Sequence, residues 1–167
     1  MIPTHIYSIL NDTKILSKLN TEWEKIAPKM LLLEEFTDDS KLLMKKIRNF
    51  YFGDKKINAD TRLELTKLWT DAFFSVHAKG EAKVLSTQLP VYFYVLKNEP
   101  KRSVWDAFGY SMDNWFGKKS AYHTDELQYL FPLNVNGISM EIRKEDDQEF
   151  SLSQDLTALW ASFAKTG

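Results

Sequence analysis

Six consecutive residues, Val91-Tyr92-Phe93-Tyr94-Val95-Leu96, follow Pro90 with no polar alternation. Such a run has no face to offer to water, so it predicts a strand covered on both sides, as inside a parallel sheet. That implies an α/β layering, with the helices supplied by the residues upstream. Asp12 is placed to cap a segment whose Ile15, Leu16, Leu19, Trp23 and Ile26 share a face and which Pro28 limits. A second helix is predicted with Leu43, Ile47, Phe50 and Tyr51 inward and Gly53 ending it. A third, capped by Asn58, carries Leu65, Leu68, Trp69, Ala72, Phe73 and Val76 as a core stripe.

Beyond the apolar run, residues 97–121 hold Pro100, Gly109 and Gly117 among charges and aromatics, which reads as a long loop with one helical turn. Ser151 with Gln154 matches a capping box for a last helix, with Leu152, Leu156, Leu159, Trp160 and Phe163 on one face and Gly167 as its stop. There is no internal repeat or low-complexity linker, and Pro and Gly are sparse, so residues 1–167 are expected to form a single unit.

Several functions are disfavoured at this level. Lys plus Arg number 22 against 23 Asp plus Glu, so no strong field draws the chain to nucleic acid or anionic lipid. No stretch reaches the roughly 20 apolar residues of a membrane span, and the N-terminus lacks the form of a secretion signal. Cysteine is absent, which removes disulfides and thiolate chemistry. Asn11-Asp12-Thr13 matches a glycosylation acceptor, relevant if the protein is secreted. The glycines, at 53, 80, 109, 117, 137 and 167, are never four apart. No G-x-S-x-G nucleophile elbow, P-loop or dinucleotide fingerprint can therefore be written in this chain, and no cofactor is expected.

The chain has three histidines. His5 sits near an end and His77 late in an amphipathic segment beside Lys79, and both read as solvated residues. His123 follows the glycine-bearing loop and opens His123-Thr124-Asp125-Glu126. A loop histidine with acids beside it can be held in one tautomer and used as a base. The same four residues also suit an ordinary capped helix start, and spacing leaves both readings open. As a metal site the cluster has too few convergent ligands, so no metal is expected.

The stretch Ser120-Ala121-Tyr122-His123-Thr124-Asp125-Glu126-Leu127-Gln128-Tyr129-Leu130-Phe131 resembles the type-B carboxylesterase segment in which the triad histidine is followed by a small residue, Asp-Glu-Leu and then Tyr-Leu-Phe. Pro90-Val91-Tyr92-Phe93-Tyr94 before it and Leu156 to Gly167 after it are similar to the strand and last helix of that family. Ile47 to Asp54 and Leu68 to Phe74 resemble its intervening helices, in a manner closest to insect members. Thr124 departs from the usual Gly or Ala after the histidine.

The resemblance implies the C-terminal part of an α/β-hydrolase domain, helix-rich with a short stretch of the central sheet. It implies a serine esterase that cleaves small-molecule carboxylic esters through an acyl-enzyme, with His123 as the general base and Glu126 as buried support beside it. In family order the serine elbow, the oxyanion-hole glycines and the triad acid precede the region aligned with Met1. The expectation is thus an esterase fragment that is inactive alone. The rival is a cholinesterase-like adhesion domain, which shares the fold without catalysis. The family is secreted or cytoplasmic, and neither the ester substrate nor the oligomeric state follows from these residues.

Overall fold

The computed structural model of the chain describes residues 3–32, 38–111, 121–140 and 148–167. Two compact units form, Met1–Phe93 and Tyr94–Gly167. The first is helical: α1 (Pro3–Asn11), α2 (Thr13–Thr21), α3 (Trp23–Met30), α4 (Asp38–Phe52), a 3-10 turn (Ala59–Thr61), α5 (Arg62–Thr70), a π-helical turn (Asp71–Ser75) and α6 (Val76–Leu85). No helix among the described residues is long and apolar enough to cross a membrane.

Asp12 caps α2 as the sequence predicts, its carboxylate accepting the backbone N–H groups of Lys14 and Ile15 at 2.8 and 3.0 Å. The single helix expected from there to Pro28 is instead broken at Glu22, whose φ of −128° and ψ of 33° leave the helical region. Pro28 lies inside α3 and does not stop it. Leu19 and Trp23 are buried as expected, whereas Ile15 is exposed. Gly53, at φ +55°, ends α4 in the left-handed conformation that glycine adopts without strain.

The inward face of α4 differs from the predicted one. Met44 and Phe52 are buried, while Leu43 and Phe50 face outward, Phe50 being 70% exposed. Trp23 explains the rotation. Its buried indole N–H donates to the Met44 carbonyl at 2.7 Å, and its ring meets Phe52 edge-on at 6.0 Å. Asn20 joins α2 to the segment before α5 by a reciprocal pair, donating to the Ile57 carbonyl at 2.9 Å and accepting the Ile57 N–H at 2.8 Å.

Asn58 caps the next helical stretch through a reciprocal box with Thr61. Leu65, Leu68 and Trp69 are buried. The stripe then fades, with Ala72 and Phe73 half-buried and Val76 exposed, because the π turn at 71–75 shifts the helical phase that the spacing assumed.

The second unit contains α7 (Val104–Ala107), α8 (Leu127–Leu130), β1 (Asn134–Val135), β2 (Ile138–Ser139) and α9 (Gln148–Thr166). Val91–Leu96 does not form the expected strand: Tyr92 is 69% and Val95 63% exposed, and the run belongs to no sheet. A strand is held by neighbouring strands. Among the described residues that pairing is confined to the antiparallel ladder β1–β2, with Asn134 opposite Ser139 and Val135 opposite Ile138. Asn136 and Gly137 turn the hairpin at φ 52° and 78°, the two positive values a two-residue I′ loop requires. Ser151 and Gln154 lie within α9, so the expected capping box is not at a helix start. Leu156 is buried, and Leu159, Trp160 and Phe163 are exposed. Among the described residues of this unit, Val104, Ala107 and Met140 form one apolar cluster with Leu133, Val135 and Ile138 packed against them, and Tyr122, Tyr129 and Leu156 are also buried.

Candidate active site around His123

Of the long loop expected over 97–121, residues 112–120 lie outside the described residues, and the remainder holds one short helix, α7. Ser103 caps α7, its hydroxyl accepting the Trp105 N–H at 3.1 Å while Asp106 accepts the Ser103 N–H at 2.9 Å. The same hydroxyl donates to Asp125, at 2.8 Å to Oδ1 and 3.1 Å to Oδ2. Val104 N–H donates to Asp125 Oδ1 at 2.8 Å, and Tyr122 N–H to Oδ2 at 2.8 Å. Asp125 is thus fully buried at 0% exposure, with donors from both sides of the loop on its carboxylate. Burial pushes its carboxyl above the usual carboxylate range, and the Tyr122 and Val104 amides and the Ser103 hydroxyl pull it back.

His123 sits on the turn that Asp125 closes, with the Asp125 N–H donating to the Tyr122 carbonyl at 3.1 Å. The residue is exposed, and its carbonyl accepts the Trp105 indole N–H at 2.8 Å. Thr124 follows at φ +76°, a left-handed conformation that is strained for a β-branched residue, and its hydroxyl donates to the same His123 carbonyl. Of the two residues usual here in the resembling segment, Gly and Ala, only glycine adopts that conformation without strain. Glu126 is half-buried and lies just before α8, its carbonyl accepting the Tyr129 N–H at 3.1 Å. The buried acid of this turn is Asp125, a residue to which sequence reasoning gave no role of its own. The available signal was Ser103-x-x-Asp106, a capping pattern of the kind instead read at Ser151.

Behind the turn, Tyr129 is buried and its hydroxyl donates to Glu149 at 2.8 Å while accepting Asn98 Nδ2 at 2.7 Å. Burial, reinforced by donation to Glu149, raises this phenol well above its ordinary value. Glu149 also accepts the Lys101 N–H at 2.9 Å, which ties the start of α9 to the loop before α7. The remaining candidates lie in the first unit. His5 is an exposed residue of α1, His77 is exposed on α6, and Asn11 is the exposed last residue of α1 with its amide donating to the Tyr7 carbonyl at 2.9 Å.

Residues 4–167 match the model of the carboxylesterase family. Esterase FE4 of Myzus persicae is 28% identical over 159 residues, covering 90% of this chain and 26% of the relative. Venom carboxylesterase-6 of Apis mellifera is 25% identical over 163 residues, 95% of this chain and 28% of the relative. Human carboxylesterase 5A is 30% identical over 125 residues, 72% of this chain and 20% of the relative. The chain spans about a quarter of the length of the aphid and bee relatives it matches. Its helix-rich architecture with a small sheet is consistent with part of an α/β-hydrolase domain. With the match running through the His123 turn and over nearly every residue, the chain belongs to the carboxylesterase family.

Proposed function

We propose that this chain is the C-terminal part of a serine carboxylesterase, in which His123 takes the proton of a serine contributed from outside these residues and returns it to the departing alcohol. The observation that carries the reading is the His123 turn. An exposed histidine stands on a turn whose neighbouring residues are fixed by a fully buried acid, in a segment that resembles the family's histidine motif and lies within the matched span. A base needs that combination, since its ring must meet substrate while its backbone stays still. Glu126, half-buried on the same turn, supports the imidazole from beside it. In the complete domain Val91–Leu96 is a strand of the central sheet, which accounts for an apolar run left exposed here.

On this reading the 167-residue chain has no nucleophile poised for attack, since the glycine spacing admits no serine elbow. The purified chain should hydrolyse a short-chain aryl ester no faster than its His123→Ala variant and take up no fluorophosphonate probe. Stoichiometric labelling of a serine by that probe would overturn the proposal.

A further inference from the structure

Resting on the reading of His123 as the base, we infer that Trp105 is a positioning residue for it, acting through the His123 main-chain carbonyl. Ser103 and Val104 form the second arm of the same clamp through Asp125. Three consecutive residues of one helical turn reach into the four-residue turn that carries the histidine. The Ser103 hydroxyl and the Val104 N–H donate to Asp125, and the Trp105 indole donates to the carbonyl of residue 123 at 2.8 Å. Asp125 in turn holds the Tyr122 N–H at 2.8 Å. The histidine backbone is therefore gripped on both sides, at the amide of residue 122 and at its own carbonyl.

Such a grip has chemical value only if the ring must stay where it is. A general base works when its nitrogen lies about 2.6–3.2 Å from the atom bearing the proton, and a misplacement of about 1 Å can cost on the order of a hundredfold in rate. Tryptophan suits the task. Its N–H is carried by a rigid ring system, here flanked by Phe108 and Tyr110 with centroids 5.9 and 6.1 Å away, so few torsions separate the donor from the helix. The strained Thr124 points the same way, since a left-handed β-branched residue persists only where its surroundings over-determine the backbone.

Trp105→Phe removes the donor and keeps the aromatic contacts, so it separates positioning from packing. In the isotopically labelled full chain, the order parameters of the His123 amide and ring should fall from about 0.85 to below about 0.6. The Val104 and Tyr122 amides, held by Asp125, should keep their exchange protection. In an active protein carrying this chain together with its nucleophile, Trp105→Phe should lower kcat about tenfold or more, with KM changed less than about twofold. Unchanged order at His123, or unchanged kcat, overturns the inference. If His123→Ala spares turnover, it is the base reading that fails. If His123→Ala abolishes turnover and Trp105→Phe spares it, the positioning role alone fails. Should Trp105→Phe not fold, the wild-type chain still decides: the Trp105 indole N–H should exchange at least about tenfold more slowly than that of the exposed Trp160, and equal rates would refute the clamp.

Discussion

Replacing Asp125 by alanine should be among the most damaging single changes in the second unit. Its carboxylate accepts the amides of Val104 and Tyr122 and the hydroxyl of Ser103, all from buried residues. The hydroxyl can rotate towards another acceptor, but the two amides are fixed by the backbone. Each buried donor left unsatisfied costs about 1–3 kcal/mol, which gives roughly 2–6 kcal/mol for the pair. Removing the buried carboxylate also removes its own desolvation penalty, so the expected net loss is about 2–4 kcal/mol. Asp125→Asn keeps one acceptor oxygen and should cost about half as much. Urea unfolding gives the total, and native-state hydrogen exchange at Val104 and Tyr122 shows where it arises. Wild-type protection of both amides in Asp125→Ala, with stability changed by less than about 0.5 kcal/mol, would refute the assignment of Asp125 as the closure of this loop.

Other consequences can be measured on the same protein. Thr124→Gly exchanges a strained left-handed threonine for the residue that adopts φ +76° freely, and should stabilise the chain by about 0.5–1 kcal/mol after the entropy glycine loses on folding; a lower melting temperature would contradict the strain. Tyr51 is raised from 10.0 to about 12, by burial first and then by its 2.8 Å donation to Asp71. The folded state therefore holds this proton more tightly than the unfolded one. Its contribution is full below about pH 10 and is lost as pH rises to about 12, so urea midpoints of wild type and Tyr51→Phe should converge over that interval. The exposed apolar run predicts strong hydrophobic-dye binding and self-association, reduced in Phe93→Lys with Val95→Lys. A monodisperse chain that binds no dye would contradict that expectation.

What the sequence made legible was local. Caps at Asp12 and Asn58 and the glycine stop at Gly53 each depend on residues within one helical turn, and each is formed. The rotation of α4 was not legible, because Trp23 sets it from another helix. Val91–Leu96 has the composition of a buried strand, but a strand exists only with partners, and composition does not supply them. Of two capping patterns, Ser103-x-x-Asp106 begins a helix and Ser151-x-x-Gln154 lies within one. A three-residue spacing cannot tell a first turn from a later one. Asn136-Gly137 is a local hairpin signal, and the turn forms there. At the site, the motif around His123 was legible, while its attachment to Ser103, Val104 and Trp105 joins residues 18 to 22 positions apart in sequence and emerges only in three dimensions.

The central claim is that His123 moves a proton in ester hydrolysis, and one kinetic measurement tests it most directly. The chain is joined to the N-terminal part of an insect carboxylesterase, and kcat for an aryl ester is compared between the joined protein and its His123→Ala variant. A base acting in the transition state predicts active joined protein and a fall in kcat of about four to six orders of magnitude, with the urea midpoint nearly unchanged. A His123→Ala protein that retains most of its turnover would contradict the claim and leave His123 as an exposed residue on a well-anchored turn.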